Sequence, residues 1–393
     1  MNSSALEGIR IVDVTSTLAG PYATALLGVM GAEVIHIESS TRPDFLRHPG
    51  REGRFYDINV NKLGIVLNLR HPEAVDIVKR LVKISHVVAD SFRPGVMERL
   101  GLGYEKLREV KPDIIAASLS GFGQSGPERH YASFAAIFAA MSGLSYVTGY
   151  PDGIPTEIRV SADLRNGNMF AFSILAAILH WKRTGQGQYI DYSAREGLTC
   201  LLGDVILDYS LNRRIARGQG NRDASMAPHN CYRCRDDGWI SIAVATDEEW
   251  QALCEAMERP ELTKDERFAD GASRYEHQEE LDRIIEEWTV TKTDYQVMEH
   301  LQRFGVAAVP SFSSPEIHSD PHLRARGCFN DLEVPGEKRR WRVLGPPWKF
   351  SATPASITRR GPQMGEHTAY VLGELLGMSQ EEIARLEKER ITY

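Results

Sequence analysis

The opening of the chain confines it to one class of fold. After Gly8, the residues Ile9, Ile11, Val12 and Val14 form an apolar run of strand length. Ala19-Gly-Pro-Tyr then begins a helix that continues to Met30, Gly31 ends it, and Ala32 to Glu38 is a second apolar strand. A strand, a helix and a strand at these lengths make a parallel crossover, because parallel strands cannot be joined by a tight turn. Pro21 suits the first helical turn, where its missing N–H has no helical partner to lose. The alternation continues with a strand at residues 65–69, a helix at 72–84, a strand at 86–90, helices across 96–110 and a strand at 114–119. An α/β fold with a Rossmann-like parallel sheet accounts for this order. The turn after the first strand reads Thr15-Ser-Thr-Leu-Ala-Gly-Pro, without the Gly-x-Gly-x-x-Gly of a dinucleotide site, so NAD is not expected.

At 393 residues the chain exceeds what one simple core accommodates, so two domains are expected. Polar residues from Arg213 to Arg222 suggest a linker over residues 211–225, followed by a smaller α+β domain over 226–326. The net charge of −7 argues against a nucleic-acid surface. No apolar run has the length of a membrane span, which points to a cytoplasmic protein without a membrane partner. Five cysteines, an odd number, read as reduced thiols. Cys231 and Cys234 lack a second ligand pair at zinc spacing, so no metal is expected.

Two stretches carry candidate chemistry. Asp163 stands between a polar extended run and a long apolar helix, at a first turn where open N–H groups and the helix dipole favour a carboxylate. It reads as a helix cap or as a nucleophile. The irregular stretch 39–61 carries Arg42, Arg47, Arg51 and Arg54, and reads as a solvated loop or as an anion-binding one.

Several motifs together resemble the class III CoA-transferases, the family of formyl-CoA transferase, carnitine CoA-transferase and the 2-methylacyl-CoA racemases. They are the opening crossover with Ala19-Gly-Pro-Tyr-Ala-Thr-Ala-Leu-Leu-Gly, Asn61-Lys, Ser91-Phe-Arg-Pro-Gly, Gly121-Phe-Gly-Gln-Ser-Gly-Pro, Asp163 with Gly167, Arg183-Thr-Gly-Gln-Gly-Gln, Lys349-Phe-Ser and Gly365-Glu-His-Thr. The resemblance implies a large Rossmann-like domain built from residues 1–210 and 327–393, and an interlocked dimer. A homodimer is expected, and a heterodimer with a homologous subunit is the variant of that expectation. It also implies CoA transfer from an acyl-CoA, with succinyl-CoA the suggested donor, to a free carboxylic acid through an aspartyl-CoA thioester on Asp163.

Transferred by position, the residues for CoA are Thr17, Leu18, Ala19, Leu69, Arg70, Phe92, Arg93 and Arg99. Backbone amides of the first turn and forked Arg donors suit its phosphates. The substrate pocket would be formed by Ser16, Arg47, Phe134, Gly218 and Gly220, the two glycines offering oxyanion amides. Ser16, Leu18, Phe134 and Ala135 replace the polar groups of formyl-CoA transferase, which favours a bulkier acyl group, and Arg47, Arg51, Arg54 or Arg165 could hold a second carboxylate. A racemase would need an opposed acid/base histidine. Ser133 occupies that position, and His130 lies three residues before it. A non-catalytic acyl-CoA-binding subunit is the third reading.

Overall fold

The computed structural model describes residues 4–334 and 340–392. The chain divides into two compact units, one of Met1–Ser145, Glu157–Ile215 and His322–Tyr393, the other of Tyr146–Thr156 and Ala216–Pro321.

The first unit is built on strands β1 (Arg10–Val14), β2 (Glu33–Glu38), β3 (Leu63–Val66), β4 (Val87–Asp90), β5 (Ile115–Ser120) and β6 (Tyr189–Ser193). All are parallel and lie in the order β3-β2-β1-β4-β5-β6. The order reverses between β1 and β4, so a crevice opens where the turns leaving these two strands diverge. Helices α1 (Ala19–Val29), α2 (Glu52–Ile58), α3 (Pro72–Lys83), α4 (Val96–Arg99), α5 (Tyr104–Val110), α6 (Ala135–Ser142), α7 (Ser161–Thr184), α8 (Ala194–Thr199) and α9 (Gly203–Asn212) complete it as far as the second unit. One apolar layer joins Val12, Ile35 and Ile65 to the buried face of α3, and the other joins Ile11, Val34 and Ala117 to α1 and α7.

Two sequence expectations need correction. The third strand runs from Leu63 to Val66 instead of over 65–69, and Gly64 lies so close to Pro362 that a Cβ would stand 2.7 Å from its ring. The stretch 39–61 is not irregular throughout. It contains a 3-10 turn at Phe45–Arg47 and the helix α2, which forms because Phe55 and Ile58 bury against Leu18 and Leu46. After β6 the chain forms α8, capped by the Ser193 hydroxyl, a 3-10 turn at Cys200–Leu202, and α9.

The end of the chain returns to β3. The His367 amide donates to Gly64 O at 2.9 Å, the Val66 amide to Thr368 Oγ1 at 3.3 Å, and the Asn68 amide to Ile391 O at 2.9 Å. Asn61 binds Ser356 O through Nδ2 at 2.7 Å and accepts the Thr358 and Arg359 amides on Oδ1. β3 therefore has its outer edge sealed by residues about three hundred positions away, which protects an otherwise open strand.

The second unit holds the antiparallel sheet β7 (His229–Arg233), β8 (Trp239–Ala243) and β9 (Ala307–Pro310). Helices α10 (Asp247–Ala256), α11 (Gly271–Glu276), α12 (Gln278–Thr289) and α13 (Asp294–Arg303) surround one core that includes Tyr232, Ile240, Trp250, Phe268 and Leu301. Cys234 belongs to this core, where burial pushes its thiol up to about 11, while Cys231 Sγ lies 3.6 Å from Ser311 Oγ. Among the described residues no helix is long and apolar enough to cross a membrane.

Candidate active site

Asp163 is the third residue of α7, and two positions of unusual backbone stand near it. Val160, just before the helix, has φ +49°, and Thr17, in the turn after β1, has φ +74°. A β-branched residue in this left-handed region costs about 1–3 kcal/mol, so the surrounding packing holds both residues there. For Val160 that packing is the cluster of Leu18, Leu46, Phe55 and Ile58, completed by Tyr22 and Tyr56. The first turn, α2 and the approach to Asp163 thus share one small core.

Gly167 closes the arrangement. It lies one helical turn beyond Asp163, on the same helix face, and a Cβ there would stand 2.8 Å from Ala19 O and 2.8 Å from the Tyr22 ring. Only a glycine lets α7 press this closely on the head of α1.

The carboxylate of Asp163 caps nothing. The cap position belongs to Val160, which makes no side-chain bond, and Asp163 accepts no hydrogen bond among the described residues. The helix terminus was expected to favour the ionised form. Burial instead raises the carboxyl, the Glu157 charge raises it further, and the Arg54 charge pulls it part of the way back, leaving it at about 6. Such a group is mostly ionised at neutral pH and more basic than an ordinary aspartate. Glu157 was not identified from the sequence. It stands six residues upstream in extended chain, and no local pattern places it beside Asp163.

The turn Thr15–Leu18 is fixed from beneath. Asp13 Oδ1 accepts the Thr15 amide at 2.9 Å, and Oδ2 accepts Thr24 Oγ1 and Lys62 Nζ, both at 2.8 Å, with His36 Nδ1 at 3.1 Å. The Ser16 amide donates to Ser91 Oγ at 2.9 Å, which ties the turn after β1 to the turn after β4 across the crevice. The Thr17 amide donates to Asp44 Oδ2 at 2.6 Å. This corrects the expectation that the whole turn offers free amides. Those of residues 15 to 17 are committed, and the ones without a partner among the described residues are those of Leu18, Ala19 and Gly20 at the head of α1. An anion there would meet a helix N-terminus.

Leu69 and Phe92 pack on the same core cluster, and Arg70, Arg93 and Arg99 are exposed beyond the ends of β3 and β4, without an ion pair among the described residues. Arg47 is not available to a substrate. Its Nε donates to Glu38 Oε1 at 2.7 Å, Nη2 donates to Pro362 O at 2.9 Å, and the guanidinium lies 3.7 Å from the centre of the Phe55 ring. Phe134, which precedes α6, is 72% exposed.

Gly218 and Gly220 lie in the second unit, packed on Gly149 and Tyr150. The Gly220 amide is bonded to Gly149 O at 2.8 Å, so it is not a free oxyanion donor. Ser133 has its Oγ against Gly121, and the exposed His130 accepts from Arg129. A cavity of about 580 Å³ lined by Gly28, Glu33, Asn61, Arg359 and His367 opens at the N-terminal ends of β2 and β3, the opposite end of the sheet from the crevice.

The profile of CoA-transferase family III matches residues 6–368. The succinyl-CoA--D-citramalate CoA-transferase of Chloroflexus aurantiacus is 37% identical over 395 residues, covering 98% of this chain and 98% of that protein. The alpha subunit of succinyl-CoA--L-malate CoA-transferase from the same organism is 36% identical over 398 residues, covering 98% of this chain and 92% of its own. Among solved structures, a CAIB/BAIF family protein from Brucella suis is similar with a TM-score of 0.87 and 29% identity, over 95% of this chain and 100% of that one.

Proposed function

Because the chain belongs to CoA-transferase family III and is a CoA-transferase enzyme, we propose that it moves CoA from succinyl-CoA to a dicarboxylic acid of the malate or citramalate kind, with Asp163 as the covalent carrier. The observation that supports this most is the state of Asp163: partly buried, without a hydrogen bond, raised to about 6, and held by Gly167 against the head of α1.

In this mechanism a carboxylate oxygen of Asp163 attacks the thioester carbonyl, CoA thiolate leaves, and a mixed anhydride forms. The thiolate attacks the aspartyl carbonyl of that anhydride and expels succinate, leaving an aspartyl-CoA thioester. The acceptor carboxylate attacks this thioester, releasing thiolate and forming a second anhydride. Return of the thiolate to the acceptor's acyl carbonyl gives the new acyl-CoA and frees Asp163. Over the whole cycle one thioester is exchanged for another and Asp163 is returned, so the steps as written call on no ATP, metal or nicotinamide.

CoA phosphates are assigned to the open amides of Leu18 and Ala19 with Thr17, and to Arg70, Arg93 and Arg99 near Leu69 and Phe92. Ser16 and Phe134 are assigned to the acyl side. The two-domain division read from sequence stays within this proposal, as does a cytoplasmic location, which fits five free thiols. We assign a dimer, with a second copy or a homologous subunit as partner, because α7 exposes Met169, Phe172 and Leu179 on one face and α9 buries none of its residues. The racemase reading has less support, since Ser133 offers no ring nitrogen and His130 is engaged by Arg129.

Incubation with succinyl-CoA, trapping with hydroxylamine and mass spectrometry of the acidic residues tests the proposal. A hydroxamate at Asp163 supports it. Labelling at another residue, or none while succinyl-CoA is consumed, overturns it.

A further inference from the structure

Of the arginines near the site, Arg54 is the one that is partly buried and yet makes no side-chain hydrogen bond or ion pair among the described residues. Arg47 is held by Glu38, and Arg51 lies over the Phe45 ring at 3.9 Å. Arg165 is exposed and two residues from Asp163, which places it on another side of α7. Arg54 is half-buried and forms no hydrogen bond or ion pair through its side chain among the described residues. Its neighbour Phe55 packs with Leu18, Tyr22 and Val160, so α2 carries Arg54 to the first turn and to the approach of Asp163. Asp57, one turn further on α2, feels the Arg54 charge, which lowers its carboxyl against the effect of burial, but it accepts its hydrogen bond from the Leu344 backbone and forms no ion pair with Arg54 among the described residues.

A guanidinium left half-desolvated without a hydrogen bond or ion pair is unusual, because its five donors are costly to leave unmatched. The charge also acts on Asp163, which it pulls back towards ionisation. Ordinary thioester chemistry at Asp163 would not need a second cation at the acyl end. A dicarboxylic acyl group would, since its remote carboxylate enters the same water-poor cluster and requires a forked donor.

We propose that Arg54 is the residue that selects dicarboxylic substrates, by binding the carboxylate of the acyl group that does not react. The inference rests on the CoA-transfer reading above. In the two half-reactions the donor acid and the acceptor acid occupy one place in turn, so a single guanidinium reads both. It gives a use to the one partly buried arginine of the stretch 39–61 that makes no side-chain hydrogen bond or ion pair among the described residues, while Arg47 and Arg51 are engaged.

The test compares succinyl-CoA with butyryl-CoA, donors of equal carbon number that differ in the remote carboxylate. The rate of hydroxylamine-trapped adduct formation gives kcat/KM for each. Arg54→Gln should lower the succinyl-to-butyryl ratio by about 10- to 100-fold, the range for loss of hydrogen bonds to a charged group, and Arg54→Lys should restore part of it. A purely structural role would slow both donors and leave the ratio unchanged, and that outcome overturns the assignment of Arg54 alone. If the parental protein forms an adduct from neither donor, the CoA-transfer reading fails and takes this inference with it.

Discussion

Asp13 and Asp163 lie in the same unit close to the same strand-helix turn, and their carboxyl groups move in opposite directions. Asp13 is wholly buried, yet the charges of Lys62 and His36 and the hydrogen bonds from them outweigh the effect of burial and hold it far below the usual carboxylate range. Asp163 is less buried, yet it is raised to about 6, because its burial is not offset by donors and the Glu157 charge adds to it. Burial alone therefore does not set the state of a carboxylate. Saturation with donors makes Asp13 an inert strut that holds the turn, and the lack of donors leaves Asp163 reactive.

The sharpest way to break this contrast is to exchange roles by mutation. Asp163→Asn removes the attacking oxygen anion and should lower kcat for CoA exchange by about 10⁴-fold or more. An exchange rate near the parental one would end the assignment. Lys62→Met leaves Asp13 buried without its main counter-charge and should cost about 3–5 kcal/mol, read from the urea midpoint. A loss within experimental error would show that the remaining donors suffice.

Gly167→Ala forces α7 away from Ala19 O and should cost about 2 kcal/mol by overpacking, with turnover falling as well. Retained turnover with a lowered melting temperature would separate this contact from the chemistry.

The smallest effect is on stability at Asp163 itself. Its carboxyl rises from 3.8 to about 6 on folding, so the folded chain holds this proton more tightly than the unfolded one. The ionised group therefore costs stability above pH 6 and nothing below about pH 4. Asp163→Asn should gain about 1–2 kcal/mol at pH 7.5, allowing for partial exposure, and the gain should vanish in melts at pH 4. Parental kcat/KM should fall with acid through about pH 6, as the nucleophile takes up its proton.

Much of the sheet was legible because buried parallel strands are short apolar runs and the crossover helices have clear starts and stops, as Pro21 and Gly31 illustrate. α2 was not legible. Its sequence Glu-Gly-Arg-Phe-Tyr-Asp-Ile carries a glycine and three charges, and it holds its form through Phe55 and Ile58 in a cluster assembled from distant residues. Asp163 could be singled out by position, but the state of its carboxyl depends on burial and Glu157, which raise it, and on Arg54, which lowers it from more than a hundred residues away in sequence. The same holds for Arg47. Its type suggested a ligand, and only Glu38 at the end of a neighbouring strand reveals that it is already engaged.

The sealing of β3 by residues near the end of the chain affects how the protein is made. When Asn68 leaves the ribosome, its partner Ile391 has not been synthesised, and at translation rates of 5–20 residues per second roughly 15–65 s pass before it exists. Through that interval the nascent sheet carries an unfinished border strand, β3. Truncated products of this gene should accordingly be recovered with chaperones or as inclusion bodies, however sound their early segments are.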